Sequence, residues 1–243
     1  MIEVRALSKS FGAVRALDGV SFTASDGRIT GLLGPNGAGK STTLRILYTV
    51  LEPAAGSARV DGFDAAETPL EVRRRIGVLP HGAGLYPNLT ARENIAYFGR
   101  MHGLSGQELD SRVDALADLL DLREFADRRA RGFSQGQRTK TALARALVHE
   151  PQNVLLDEPS NGLDVMATRS LRELIRRLRE AGKCVLFSSH VMQEVAALCD
   201  DIVIIAHGRV VASGTPDAIR AQAGEANLEE AFVKAIGSAE GLE

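Results

Sequence analysis

Arg28-Ile29-Thr30-Gly31-Leu32-Leu33-Gly34-Pro35-Asn36-Gly37-Ala38-Gly39-Lys40-Ser41-Thr42 decides how this chain folds. A β-prone run enters a turn of small residues, and from Thr42 to Leu51 the composition becomes helical, ending near Pro53. Gly34 to Ser41 match the phosphate-loop pattern in full, and a strand before and a helix after are the context that gives the pattern meaning. Asn36, Gly37, Ala38 and Gly39 allow successive backbone N–H groups to converge on phosphate oxygens, and the helix that follows adds the positive end of its dipole. Lys40 is then placed for the β and γ phosphates, Ser41 for Mg²⁺, and Thr42 for the first turn beside them. The pattern implies ATP or a related nucleotide with Mg²⁺, but it does not separate kinases, GTPases and transport ATPases.

Upstream of the loop, the runs Ile2 to Leu7 and Val20 to Ala24 flank Asp18-Gly19, and Asp26-Gly27 precedes the third run. Asp-Gly pairs between short β-like runs predict hairpins, hence an N-terminal antiparallel β subdomain. From Asn88 to about Glu150 the periodicity is helical, with Val113, Leu116, Leu119 and Leu120 at helix spacing, which predicts an inserted helical subdomain over about 86–150. Alternation then resumes: a buried strand over Asn153 to Asp157, a helix over Met166 to Ala181, a strand over Cys184 to Ser188, and a helix over Val191 to Cys199. A β pair follows, Ile202 to Ala206 and Arg209 to Ser213, around His207-Gly208. The expected class is α/β, a phosphate-loop NTPase core with a mostly parallel sheet. One domain is expected over 1–226, and 227–243 reads as a short helical tail around Leu228 to Ile236.

Val154-Leu155-Leu156-Asp157-Glu158-Pro159 is an apolar strand ending in adjacent acids. Neighbouring strand positions point to opposite faces, so the two carboxylates are free to take different tasks. Beside a phosphate loop, Asp157 suits Mg²⁺ and Glu158 suits the attacking water; without that loop the pair would read equally well as an acidic turn. His190 closes the run Val185 to Ser189, at a strand end where α/β proteins place ligand contacts.

Bulk properties exclude some classes. A net charge of −2 over 243 residues gives no electrostatic ground for nucleic-acid binding, and none is expected. No apolar stretch approaches the roughly 18 residues a membrane-spanning helix needs, and Met1-Ile2-Glu3-Val4-Arg5 does not resemble a secretory signal. A cytoplasmic protein is expected. Cys184 and Cys199 have no metal-binding or redox spacing, so two reduced, buried thiols are expected. The basic runs Arg73-Arg74-Arg75 and Arg128-Arg129-Ala130-Arg131 read as solvated helix faces with local ion pairs before they read as docking sites.

Further segments add up to a family. Phe133-Ser134-Gln135-Gly136-Gln137-Arg138, followed by Ala142-Leu143-Ala144-Arg145-Ala146-Leu147, resembles the signature segment of ABC ATPases. Ser160-Asn161-Gly162-Leu163-Asp164 resembles their D-loop, and Ser188-Ser189-His190 their switch histidine. Order and spacing agree from Ile2 to about Ala218. The resemblance implies two such domains head to tail, each ATP lying between the phosphate loop of one and the signature of the other. It implies that Ser134, Gly136 and Gln137 meet the partner's nucleotide, that Phe11 stacks on adenine, and that His190 contacts the γ phosphate. It also implies a separate transmembrane permease and a peripheral position on the inner membrane face.

Two residues depart from the family pattern. Gln135 stands where glycine is commonest. His81, in Leu79-Pro80-His81, stands where a glutamine usually links the nucleotide to the membrane partner, and imidazole is a poor ligand for Mg²⁺. With Gly84 to Ile95 and Leu228-Glu229-Glu230-Ala231-Phe232, these features resemble the NatA-type sodium- and drug-export ATPases. Leu85, Tyr86 and Pro87 are then expected to receive the permease's coupling helix. The competing function is a soluble ABC ATPase of translation or DNA maintenance; such proteins typically carry two cassettes or long insertions.

Overall fold

The computed structural model describes residues 1–82 and 84–240, with the backbone alone for 238–240. In chain order the elements are β1 (Ile2–Phe11), β2 (Val14–Ala24), β3 (Ile29–Leu33), α1 (Lys40–Leu47), β4 (Ala55–Val60), β5 (Phe63–Asp64), α2 (Pro69–Arg75) and β6 (Ile76–Leu79). There follow α3 (Ala91–Met101), α4 (Gly106–Leu119), α5 (Gln135–Leu147), β7 (Asn153–Asp157), α6 (Val165–Glu180), β8 (Cys184–Ser189) and α7 (Met192–Leu198). The chain closes with β9 (Asp201–Ala206), β10 (Arg209–Gly214), α8 (Pro216–Ala223) and α9 (Leu228–Glu240).

Two sheets result, β2-β1-β4-β5 and β10-β9-β3-β8-β7-β6. The second is parallel from β9 to β6 and antiparallel only at β10. Every residue of β3, β7 and β8 is buried, as strands covered on both faces must be. The two-residue period divides them. Leu32, Leu155, Leu186 and Val203 pack with Ile2, Val4, Leu7, Leu44 and Leu47 under the antiparallel sheet and α1. Leu33, Leu156, Phe187 and Ile204 pack with Leu143, Leu171, Ile175 and Val195 beneath the helices. Burying each such side chain contributes about 1.5–3 kcal/mol, so the sandwiched sheet fixes where its strand ends point.

The N-terminal sheet is antiparallel as expected, but its turns are not where Asp-Gly placed them. Asp18-Gly19 lies inside β2, where the pairing steps from Lys9↔Leu17 to Leu7↔Val20. Gly19, at φ +73°, absorbs an irregularity in a ladder that continues past it, and the chain reverses instead at Gly12-Ala13. Asp26-Gly27 is a turn between the two sheets, not a hairpin. Gly27 N donates to Gly182 O and Lys183 O. Helix α1 stops at Leu47, short of the expected Leu51, because Thr49 turns left-handed at φ +65°.

Helices α3, α4 and α5 lie between β6 and β7 in the chain. Thr90 and Glu93 form a reciprocal capping box at the start of α3, as do Ser134 and Gln137 at α5. The C-terminal helix is docked rather than merely appended, with Leu228 and Ala231 buried in the same core as β9. The expected tail extends to 243, and 241–243 lie outside the described residues. Both cysteines are free and buried, and burial pushes the Cys184 thiol up to about 12. Among the described residues no helix is long and apolar enough to cross a membrane. Arg74 and Arg75 pair with Glu71, and Arg73 bonds Thr49, which accounts for the first basic run locally.

Candidate functional site

The carboxyl ends of β3, β7 and β8 deliver the phosphate loop, the two acids and His190 to one edge of the sheet, where doubly wound folds bind ligands. Gly34 leaves β3 against β9; a Cβ there would stand 2.1 Å from Ile205 O. Gly39 caps α1 at φ +111°, a conformation that side chains avoid, and a Cβ would meet Leu17 at 2.6 Å. Between them Asn36 and Gly37 are exposed and Ala38 is buried, so the turn presents backbone to solvent over a fixed base. Thr42 is half-buried in the first turn.

Lys40 is buried, with Nζ donating to Gly34 O at 2.7 Å and Pro35 O at 3.1 Å, and Glu158 Oε1 lies 3.6 Å away. Burial lowers the pKa of the ammonium, and the neighbouring Glu158 charge opposes that shift. The loop thus curls around its own lysine and satisfies it with carbonyls.

Asp157 is buried at the end of β7. Its Oδ1 accepts from Ser41 Oγ at 3.1 Å and from Ser188 Oγ at 2.7 Å, while Oδ2 is buried with no hydrogen-bond partner among the described residues. A buried, unpaired carboxylate oxygen beside a phosphate-loop hydroxyl fits a hard cation held through oxygen ligands. Glu158 turns away with φ +49°, its N–H donating to Ser188 Oγ at 3.0 Å and its Oε1 lying 3.4 Å from His190 Nδ1. Lys40, Glu158 and His190 are therefore brought together, as are Ser41 and Asp157. Ser188, which holds Asp157 and Glu158 at once, was quoted in the sequence only as part of the switch segment. Its opposition to Asp157 in the β7–β8 register is what gives it this role.

Ser134, Gly136 and Gln137 stand apart from this cluster at the start of α5. Ser134 Oγ accepts from Gln137 N at 3.2 Å, and Gln137 Oε1 accepts from Ser134 N at 3.1 Å. The amide oxygen of Gln137 is committed to the cap, and the Ser134 O–H has no acceptor among the described residues. Gln135, the departure from the signature pattern, lies against the following loop; a Cβ on Gly162 would be 3.4 Å from its Cγ. Phe11 is 47 % exposed, with Lys9 Nζ 5.6 Å from its ring centroid, so it is not a core aromatic. His81 is exposed just beyond β6.

Beyond His81, the segment Leu85-Tyr86-Pro87 is pinned from behind. Buried Asn94 accepts from Tyr86 N and donates to Tyr86 O, Leu89 O and Thr90 O. Ala130 N and Arg131 N donate to Leu89 O and Pro87 O, both at 2.9 Å, so this surface is bonded to the strip that leads into Ser134. Arg145 of α5 stacks 4.5 Å over Phe98 and donates to Gly84 O at 2.9 Å. A groove of about 1020 Å³ runs between α5 and α6 and does not include Lys40. The phosphate loop itself is an open surface.

Comparison with known proteins agrees with this geometry. The ABC transporter family profile matches residues 17–161. The ABC transporter ATP-binding protein NatA of Bacillus subtilis is 46 % identical over 85 % of this chain and 84 % of its own length. A Nod factor export ATP-binding protein of Burkholderia lata is 39 % identical over 90 % of this chain and 72 % of its own. Among solved structures, an ATP-binding subunit of an ABC transporter superposes with TM-score 0.89 at 33 % identity, covering 97 % of this chain and 99 % of that one. A dimeric ATP-binding cassette in a post-hydrolysis state with ADP and Pi gives TM-score 0.82 at 27 % identity, over 88 % of this chain and 98 % of the other. The sheet-edge cluster of Lys40, Asp157 and Glu158 and these likenesses lead to one conclusion: the chain belongs to the ABC transporter family, as an ATP-binding and hydrolysing subunit.

Proposed function

We propose that two copies of this cassette, or this copy and a related one, close on ATP and Mg²⁺ to power a separate membrane permease, with export as the direction. The observation that carries the reading is the division of the site. Lys40, Asp157, Glu158 and His190 form one half at the sheet edge, while Ser134, whose oxygen caps α5, keeps its hydroxyl proton available at a helix start elsewhere on the surface. A helix N-terminus and a free O–H suit an anion brought by another subunit. The dimeric cassette among the structural neighbours supports the same arrangement.

Within a site so assembled, backbone N–H groups from Asn36 to Gly39 and the Lys40 ammonium hold the phosphates, and Phe11 offers its exposed ring to adenine. Ser41 and Asp157 would hold Mg²⁺, which would supply neutralising charge for the phosphates. Glu158 orients the attacking water and accepts its proton, and His190 holds Glu158 and the γ phosphate in register. Gln137 meets nucleotide through its side-chain NH₂, since its amide oxygen and its backbone N–H are both engaged by the cap.

Membrane coupling is assigned to Leu85, Tyr86 and Pro87. Tyr86 is 45 % exposed, and the backbone bonds from Pro87 and Leu89 to Arg131 and Ala130 give a direct path toward Ser134. The chain then sits peripherally on the inner membrane face. The Nod factor and linearmycin relatives are named for export and for resistance, which favours export over a role in translation. The test is the mass of the purified chain in solution with and without ATP. A monomer that doubles in mass with ATP, coupled to Mg²⁺-dependent phosphate release, is the expected result. A chain that hydrolyses ATP while strictly monomeric would defeat the shared-site reading.

His81 relays nucleotide state to the coupling surface. His81→Gln is expected to change the ATPase rate of the permease-bound chain more than that of the isolated chain, and equal effects in both would remove the relay.

A further inference from the structure

We infer that Glu194 is a positioning residue that ties the loop following Glu158 to the loop carrying His190, so that movement of the first resets the Glu158–His190 pair. The inference rests on the roles proposed above for those two residues.

Glu194 is half-buried in the first turn of α7, and a single oxygen of its carboxylate serves two elements. Oε2 accepts from Ser160 Oγ at 2.6 Å and from Ser189 Oγ at 3.1 Å. Ser189 Oγ in turn accepts from Val191 N at 3.0 Å, which orients its proton toward Glu194. The hydrogen bonds therefore run from Val191 N–H through Ser189 to Glu194, and from Ser160 to the same oxygen. Hydroxyl bonds to a carboxylate are among the stronger protein hydrogen bonds, and here both are part-buried.

The position of this clip gives it a consequence. Ser160 follows Glu158 by two residues, and Ser189 immediately precedes His190. Glu158 sits at φ +49°, a conformation that costs a non-glycine residue free energy and persists only when its surroundings enforce it. Glu158 N bonds Ser188 Oγ and Glu158 O accepts from Asn161 N at 3.1 Å, so Glu158 is already held from β8 and from its own loop. Glu194 joins those two supports to each other. The 3.4 Å separation between Glu158 Oε1 and His190 Nδ1 is thus fixed through Ser160, Glu194 and Ser189 as well as through β7 and β8. Gly162, in the loop following Glu158, lies against Gln135, next to the Ser134 surface that meets the second copy in the proposed dimer. A shift of that loop on closure pulls on Ser160, and Glu194 passes it to His190. Glu194 has no role at the reacting atoms themselves.

Steady-state ATPase kinetics of the purified chain test this. Glu194→Ala is expected to lower kcat roughly tenfold to a hundredfold, the range for a misplacement of about 1 Å, with KM within about twofold of wild type. Glu194→Gln retains an amide oxygen able to accept both hydroxyls and is expected to restore most of kcat. Ser160→Ala is expected to lower kcat and to make the further Glu194→Ala change nearly silent, because both break one tie. A Glu194→Ala rate within about twofold of wild type, a Gln variant as impaired as the Ala variant, or additive losses in the double variant would each overturn the proposal. Should Glu194→Ala fail to fold by circular dichroism, Ser160→Ala and Glu194→Gln decide alone by the same criteria. A wild type that hydrolyses no ATP defeats the reading of the site and this inference with it; an active wild type beside an unaffected Glu194→Ala defeats only the tie.

Discussion

Glu158→Gln is expected to lower steady-state ATP hydrolysis by roughly 10²-fold or more while ATP binding persists and the closed two-copy form outlives that of the wild type. Glutamine keeps the shape and one acceptor oxygen but does not take a proton from water at neutral pH. The variant should fold, because Lys40 keeps its bonds to Gly34 O and Pro35 O after losing its nearby carboxylate. Removing that carboxylate also leaves the buried ammonium without the one influence that opposes its desolvation most strongly. Phosphate oxygens then become better partners for Lys40, which favours nucleotide retention over release. Phosphate release measured under saturating Mg²⁺ and ATP gives the rate, and nucleotide retained through gel filtration gives the binding. Equal hydrolysis in wild type and variant would dismiss Glu158 as the water-orienting group. Loss of binding together with rate would show that its part is to support the loop.

Much of this site was legible because its residues are local in sequence. Gly34 to Ser41 carry their own geometry: Gly39 must be glycine for φ +111°, and Gly34 must be glycine to pass Ile205 O. Val154 to Glu158 read as a strand ending in acids because a short apolar run stops at two adjacent carboxylates, and Asn153 to Asp157 are all buried. What stayed hidden depends on register. Nothing in the letters says that Ser188 opposes Asp157, or that Ser160 and Ser189 reach one oxygen of Glu194. The N-terminal turns were misplaced for a related reason. Asp-Gly favours positive φ, and a ladder irregularity uses positive φ as readily as a hairpin does. The stretch from β4 to β6 is short and interrupted by Gly56, Gly62 and Pro69, so periodicity had little to act on, and only pairing with β1 and β7 defines it. The capping boxes at Thr90 and Ser134 were visible as Thr-x-x-Glu and Ser-x-x-Gln. The second one leaves Gln137 only part of its amide to offer a ligand.

The site is also asymmetric in what it lacks. Among the described residues Asp157 keeps one oxygen unpaired and Ser134 keeps one proton undonated, while Lys40 is held only by its own loop and by Glu158 at 3.6 Å. These are complementary deficits, and triphosphate with a divalent ion meets all of them at once only if the Ser134 surface of another copy approaches the Lys40 surface of this one.

That complementarity makes Lys40→Ala the sharper test of a shared site. Removing the ammonium is expected to weaken ATP binding roughly 10- to 100-fold, as the loss of a charge-assisted contact of about 1.5–3 kcal/mol implies, and to abolish measurable turnover. Ser134→Arg is expected to be inactive too, because a cation of that size at the start of α5 occupies the approach of a second subunit's phosphates. Each variant, however, preserves the half that the other destroys. In a mixed pair, one of the two sites combines the intact Lys40 of the Ser134→Arg chain with the intact Ser134 of the Lys40→Ala chain. Mixing two inactive proteins in equal amounts should therefore restore hydrolysis, up to about a quarter of the wild-type rate, since about half the pairs are mixed and each holds one complete site. The restored rate should rise with the square of protein concentration until pairs saturate. If nucleotide were instead enclosed by a single chain, the mixture would stay as inactive as its components at every concentration, and the placement of Ser134 opposite another copy's Lys40 would be wrong.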